Sequence, residues 1–170
     1  DNGALFRSRS EWKIRKPLIE DDLLESVITL PEKLFYNTNS PGCVLIFNKD
    51  KPESRQGKVQ FIFGEQKHLQ TSGIQIYDDE STQNVLTEEG VEYLAETYMS
   101  GREEEHHSRF VDISEIEENN WNLNISRYVD TTTPSEEIDI HEKLQNLKQI
   151  EEDRIAATEE MYDSLERLNR

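Results

Sequence analysis

Phe35 and Tyr36 are adjacent aromatics followed by Asn37 and Thr38, and they fall in a connector studded with Pro31, Asn37, Asn39, Pro41 and Gly42. Turn-forming residues at that density put both rings in a loop and not in a core strand. Loop side chains owe little to packing, so Phe35, Tyr36, Asn37 and Thr38 are available to hold a flat ligand. The alternative is that one or both rings anchor the loop to the core. Two other clusters carry chemical potential. Glu103-Glu104-Glu105-His106-His107 contains metal-ligand types, but adjacent histidines point apart and the spacing matches no zinc arrangement, so a solvated loop without a metal is expected. Cys43 is the only cysteine, which excludes an internal disulfide, and its apolar strand makes it a small hydrophobe and not a nucleophile.

The aromatic connector needs two flanking elements. Val27-Ile28-Thr29-Leu30 and Cys43-Val44-Leu45-Ile46-Phe47 have the β-branched and aromatic content of buried strands. Ahead of them, Ser10 to Lys16 reads as a helix capped by Ser10, with Trp12 and Ile14 among its apolar contacts and Pro17 ending or kinking it. Lys58 to Phe63 predicts a further strand, after a charged connector. Gly64 to Asn84 has little periodicity and reads as a long loop. Thr87 caps a helix whose apolar face is Val91, Leu94, Ala95 and Tyr98, and Gly101 closes it. A short helix from Ser114 carries a Ser-x-x-Glu117 capping box, and Trp121 to Val129 is expected to be extended and to pack back.

Pro134 marks a boundary. From Ser135 to Arg170 there is no Gly or Pro, and Ile140, Leu144, Leu147, Met161, Leu165 and Leu168 fall on one helical side. Glu151, Arg154 and Thr158 interrupt that stripe, which leaves either one imperfect coiled-coil helix or two shorter ones. Such a helix cannot bury its stripe alone, so these six residues are the candidate partner-binding surface. The predicted organisation is therefore 1–65, 66–133 and 134–170.

Hydrophobic residues make up 34% and charged residues 32% of the 170, which leaves little apolar material for a core and implies that part of the chain is solvated. A formal net charge of −17 repels a polyanion unless positive residues are gathered locally or supplied by a partner. They are gathered: Arg7, Arg9, Lys13, Arg15 and Lys16 crowd the start, while acidic residues dominate after Glu65. Phosphate neutralisation and a solvated mixed-charge helix face are the competing readings of that cluster. No apolar run is long enough to span a bilayer and nothing resembles a signal peptide, so no membrane partner and a cytoplasmic location are expected. The opening Asp1-Asn2-Gly3, without an initiator methionine, suggests a piece of a longer protein.

Ile14-Arg15-Lys16-Pro17-Leu18, then Leu30-Pro31-Glu32-Lys33-Leu34-Phe35-Tyr36-Asn37-Thr38 with Pro41, Asn48 and Lys49, follow an I-R-x-x-L and LP-x-x-LFY-x-T-x-x-P pattern in order. Ser108-Arg109-Phe110-Val111, Ile113-Ser114-Glu115-Ile116 and Asn122 to Val129 continue it over roughly the first 130 positions. The series resembles the last third of the catalytic domain of adenine-specific DNA methyltransferases, in particular the modification subunit of type I restriction enzymes. The resemblance implies a mixed α/β fold: part of a doubly wound methyltransferase sheet ending in an antiparallel hairpin, then a small helical extension and a long helical tail. It implies that the complete subunit moves a methyl group from S-adenosylmethionine to an adenine amine in DNA, and that Phe35, Tyr36, Asn37 and Thr38 form the loop that meets the extruded base.

In the same family order the glycine-rich cofactor loop and the Asn-Pro-Pro-aromatic tetrad lie upstream, and neither occurs in this sequence. No catalytic or cofactor-binding residue is therefore assigned here, and the isolated chain is expected to be inactive and to bind no S-adenosylmethionine. Arg7, Arg9 and Lys13 are the DNA-binding candidates. The implied partners are DNA, a specificity subunit and a restriction subunit. An open sheet edge left by missing strands also predicts self-association. A different class, an acidic interaction module or DNA mimic without catalysis, would space its acidic residues along one face, whereas here they are interleaved with Lys and Arg.

Overall fold

The structure is a computed structural model that describes residues 2–69, 73–79 and 82–132, together with Arg154 and Thr158. The chain divides into two units, 1–132 and 133–170. In the second, Arg154 and Thr158 are helical and the Thr158 hydroxyl donates to the Arg154 carbonyl at 2.8 Å. The stripe of Ile140, Leu144, Leu147, Met161, Leu165 and Leu168, and with it the helical tail, lies outside the described residues.

The first unit is built on a four-stranded sheet in the order β2-β1-β3-β6, from β1 (Leu24–Leu30), β2 (Gly42–Phe47), β3 (Lys58–Phe63) and β6 (Ser108–Asp112). β1 and β2 form the expected antiparallel pair, with Val27 opposite Leu45 and Leu30 opposite Gly42. β1 and β3 run parallel, and β6 returns antiparallel to β3. Six of the seven residues of β1 are buried, as a strand covered on both faces requires. Alternation sends Val27 and Phe61 into one core cluster with Leu5, Ile19, Ile116, Trp121 and Leu123. Ile28 and Ile62 enter a second cluster with Leu69, Ile76, Tyr93 and Leu94. The sheet is thus a mixed α/β core with apolar cover on each side.

Several local expectations are corrected. After the short helix α1 (Gly3–Phe6), the helix α2 (Ser10–Glu20) runs through Pro17, and Ser10 sits inside it with its hydroxyl on Glu11, so it is not the cap. Proline removes one backbone bond, but the helix is pinned around that gap. Ile19 is fully buried, and the Arg15 guanidinium donates to the carbonyls of Trp121 at 2.7 Å, Ala4 at 2.7 Å and Arg7 at 3.2 Å. Ile14 is 64% exposed, so only Trp12 of the two predicted apolar contacts packs on the core.

The supposed long loop holds a two-stranded antiparallel sheet, β4 (Tyr77–Asp79) with β5 (Asn84–Leu86), and buries Leu69 and Ile76. Strands of three residues are too short to show a period. The helix α4 (Ile113–Glu118) starts before the proposed Ser114 box, its start fixed by the Ile113 N–H on the Gly57 carbonyl at 3.0 Å. Trp121 to Val129 does pack back, with Trp121, Leu123, Ile125, Tyr128 and Val129 all buried, but it turns through a short 3₁₀ segment at Ile125–Arg127.

The helix α3 (Glu88–Ser100) has the predicted ends: Thr87 Oγ1 accepts from the Gly90 N–H at 2.9 Å, and Gly101 takes the left-handed conformation with φ 66°. Its buried face is rotated from the expected one. Gly90, Tyr93, Leu94 and Thr97 face inward and Val91 is exposed. Gly90 explains the rotation, because a Cβ there would lie 2.3 Å from the Ile76 carbonyl oxygen, so the helix approaches the β4 strand's approach segment on its glycine.

His107 is the buried member of the histidine pair. Its Nδ1 lies 2.8 Å from the Phe63 carbonyl, which only accepts, so the neutral ring carries its proton there. Burial holds its pKa below the ordinary 6.5, since protonating the enclosed Nε2 finds no acceptor. A depressed histidine contributes stability above its unfolded value and loses it as pH falls through 6.5 toward the folded value. The melting midpoint is therefore expected to drop between about pH 7.5 and 5.5. In His107→Gln, which keeps a donor but does not titrate, that slope flattens, and an unchanged slope would refute the assignment.

Candidate functional site

The loop after β1 leaves the sheet at the carboxyl end of that strand, the end of a parallel pair where α/β sheets place their ligands. Phe35, Tyr36, Asn37, Thr38 and Asn39 line a cleft of about 350 Å³ together with Thr82 and Gln83, a volume in the range of small-ligand sites. Phe35 is 50% and Tyr36 83% exposed, so neither ring is buried in the interior.

The two rings have different surroundings. Phe35 lies across Gly42, whose missing side chain makes the space: a Cβ there would sit 2.5 Å from the ring edge. Tyr36 stands out from the loop. Asn37 adopts φ 59°, a left-handed turn that asparagine tolerates, and the Thr38 hydroxyl accepts from the Ser40 N–H at 3.1 Å. The far end of the loop is tied by the Asn2 N–H on the Pro41 carbonyl at 3.3 Å.

The near end is tied by Asn84, the first residue of β5. Its side-chain amide donates to the Glu32 carbonyl at 2.8 Å and its backbone N–H to the Lys33 carbonyl at 3.0 Å. Thr82, Gln83 and Asn84 thus bring the β4–β5 unit against the aromatic loop. Nothing in their spacing announces this.

The basic cluster separates into two groups. Arg15 is 7% exposed with its donors on backbone carbonyls, and burial lowers its pKa. Lys16 lies 5.4 Å from the ring centres of both Trp12 and Trp121 and pairs with Glu20 at 3.5 Å. Arg7, Arg9 and Lys13 are exposed, with Arg7 near Glu11 at 3.9 Å. Two of the five cations are therefore structural.

β3 is followed by Gly64, where a built Cβ would lie 2.5 Å from the Thr29 carbonyl oxygen and close to Leu94. Among the described residues there is no group of three His, Cys, Asp or Glu suited to a metal ion, and no helix is long and apolar enough to cross a membrane. Beside the sheet, Ile14, Leu18, Leu45 and Phe47 line an apolar groove between α2 and the edge strand β2.

The described residues form a mixed α/β sheet with an aromatic loop at the carboxyl end of one of its parallel strands. The family model for N-6 DNA methylases matches residues 1–137, and the chain belongs to that family. It is 43% identical over 154 residues to the type I restriction enzyme MjaVII methylase subunit of Methanocaldococcus jannaschii, covering 89% of this chain and 25% of that protein. It is 37% identical over 169 residues to the MjaVIII methylase subunit of the same organism, covering 99% of this chain and 28% of the relative. The crystal structure of the type I restriction-modification methyltransferase subunit from Streptococcus thermophilus superposes with a TM-score of 0.65 at 33% identity, over 76% of this chain and 25% of that one. The chain spans about a quarter of the length of these relatives.

Proposed function

We propose that this chain is part of the modification subunit of a type I restriction enzyme, which transfers a methyl group from S-adenosylmethionine to the exocyclic amine of adenine in DNA. The chain supplies the loop that receives the target base and surfaces that dock neighbouring polypeptide. It holds neither the cofactor nor a catalytic residue. The observation that carries the reading is the pair of exposed rings at the carboxyl end of β1, beside a cleft, in a chain of the N-6 DNA methylase family.

An extruded adenine needs a flat apolar surface against its face and polar groups at its edge. Phe35 or Tyr36 supplies the first, and Asn37, Thr38, Thr82 and Gln83 stand where they meet the second. Arg7, Arg9 and Lys13 are exposed on the surface and are the cations this reading assigns to phosphates. The groove beside β2, with Phe47 49% exposed, suits contact with the remainder of the subunit or with a second copy. Specificity and restriction subunits are the partners this reading assigns, in the cytoplasm.

The test has two arms. The complete subunit, assembled with its specificity subunit, is incubated with labelled S-adenosylmethionine and duplex DNA, and the digested product is expected to carry label in N6-methyladenine. Isothermal calorimetry of the 170-residue chain alone is expected to give no heat of cofactor binding. Label in another base would overturn the adenine assignment, and tight binding by the isolated chain would overturn the division of labour.

A further inference from the structure

We propose that Asn84 is a positioning residue for the target-base loop, holding Phe35 and Tyr36 at the cleft through a two-point clamp on the backbone of Glu32 and Lys33. The inference rests on the base-loop reading above and adds to it a residue 48 positions beyond Tyr36 in sequence, in a different sheet.

Three observations carry it. Asn84 is 7% exposed, so its amide is spent inside the protein and not on solvent. Both of its donors go to consecutive carbonyls of one short turn, the side chain to Glu32 at 2.8 Å and the backbone to Lys33 at 3.0 Å. Lys33, one of the clamped residues, has φ 55°, a left-handed conformation that residues with a side chain rarely adopt without external support. The turn that aims the aromatic pair is therefore a conformation the local sequence disfavours, and Asn84 supplies bonds that the alternatives would forfeit.

The clamp is also continuous with the cleft. Thr82 and Gln83 line the same cavity as the two rings, so the segment that fixes the loop forms the wall opposite it. Moving Asn84 moves both sides of the cleft relative to each other. Glu32 and Lys33 stand three and two positions before Phe35, near enough for a change at the turn to displace the rings by about 1 Å, a shift that costs up to about 100-fold when a reacting group must be placed.

The experiment uses the complete subunit assembled with its specificity subunit, measuring methylation kcat and KM for DNA, fluorescence of 2-aminopurine at the target position, and the melting midpoint. Asn84→Ala removes the side-chain bond and is expected to lower kcat about 10-fold and to weaken the 2-aminopurine signal, with KM changed by less than about threefold. Asn84→Asp keeps size and shape but turns the donor into an acceptor facing the Glu32 carbonyl. It is expected to lose at least as much as Asn84→Ala. If the side chain only fills space, Asn84→Asp retains wild-type kcat, which overturns the clamp. Should Asn84→Ala fail to fold, the isosteric Asn84→Asp carries the same decision. Phe35→Ala and Tyr36→Ala run alongside separate the two failures. If those lose activity while both Asn84 variants match wild type, the clamp is wrong and the base loop stands; if neither aromatic variant loses activity, the base loop falls and the clamp with it.

Discussion

Tyr36→Ala in the complete subunit is expected to lower methylation about 5- to 150-fold, the equivalent of the roughly 1–3 kcal/mol that one base–aromatic stack contributes. Tyr36 is 83% exposed, so the substitution removes almost no packing and should leave the melting midpoint near wild type. Tyr36→Phe keeps the ring face and should retain most activity. Phe35→Ala tests a different role. Its ring covers Gly42, so truncation uncovers the start of β2 and frees the loop, and a smaller fall in kcat with a measurable loss of stability is expected. Target-base extrusion read by 2-aminopurine fluorescence distinguishes the two. Retention of rate and extrusion in both alanine variants would remove the aromatic clamp from the mechanism.

Arg55→Ala is expected to destabilise the chain by about 3–5 kcal/mol, because it leaves a buried carboxylate without its cation. Glu25 is 3% exposed and sits where the β1–β2 register shifts between Leu24 and Ser26, a bulge that places Leu24 and Val27 in one core cluster and turns Glu25 toward α3. There it accepts from Arg55 at 3.0 Å and from the Tyr98 hydroxyl at 3.1 Å. Burial alone would raise its pKa, but hydrogen bonds from Asn48, Tyr98 and Arg55, with the charge of Arg55, outweigh that and hold it low.

Arg55 also donates to the carbonyls of Tyr98 at 2.6 Å and Met99 at 3.0 Å and lies over the Tyr98 and Phe110 rings, closing the end of α3. Urea denaturation of wild type, Arg55→Ala and the double variant Arg55→Met with Glu25→Leu tests the cause. The double variant should recover much of the loss, since an apolar pair of similar volume costs far less than a lone buried charge. Equal loss in the single and double variants would place the effect in packing instead.

What the sequence made legible was whatever repeats over enough residues. β1, β2 and β3 carry runs of β-branched and aromatic residues, and α3 has a threonine and a glycine at its ends whose roles are local chemistry. The aromatic loop was legible for the same reason: its turn residues act on their own neighbours. The β4–β5 pair was not, because its three-residue strands are stabilised by Leu69 and Ile76 entering a core made elsewhere. Pro17 misled because its penalty is local while the bonds of Arg15 that offset it reach to Trp121. Asn84 was invisible on similar grounds: an asparagine in a polar stretch is ordinary until the chain brings Glu32 and Lys33 to it.

The sheet order has a consequence for how the chain is made. Gln60 to Phe63 pair on one side with β1, already synthesised, but Lys58 to Ile62 pair on the other side with β6, and everything from Gly64 to His107 must leave the ribosome before that partner exists. During that interval a hydrophobic strand presents unpaired amides and carbonyls to solvent, the condition in which nascent chains join one another. Slowing elongation after Phe63 lengthens the exposure, so the yield of native protein should depend on translation speed across this stretch and on chaperones that shield it.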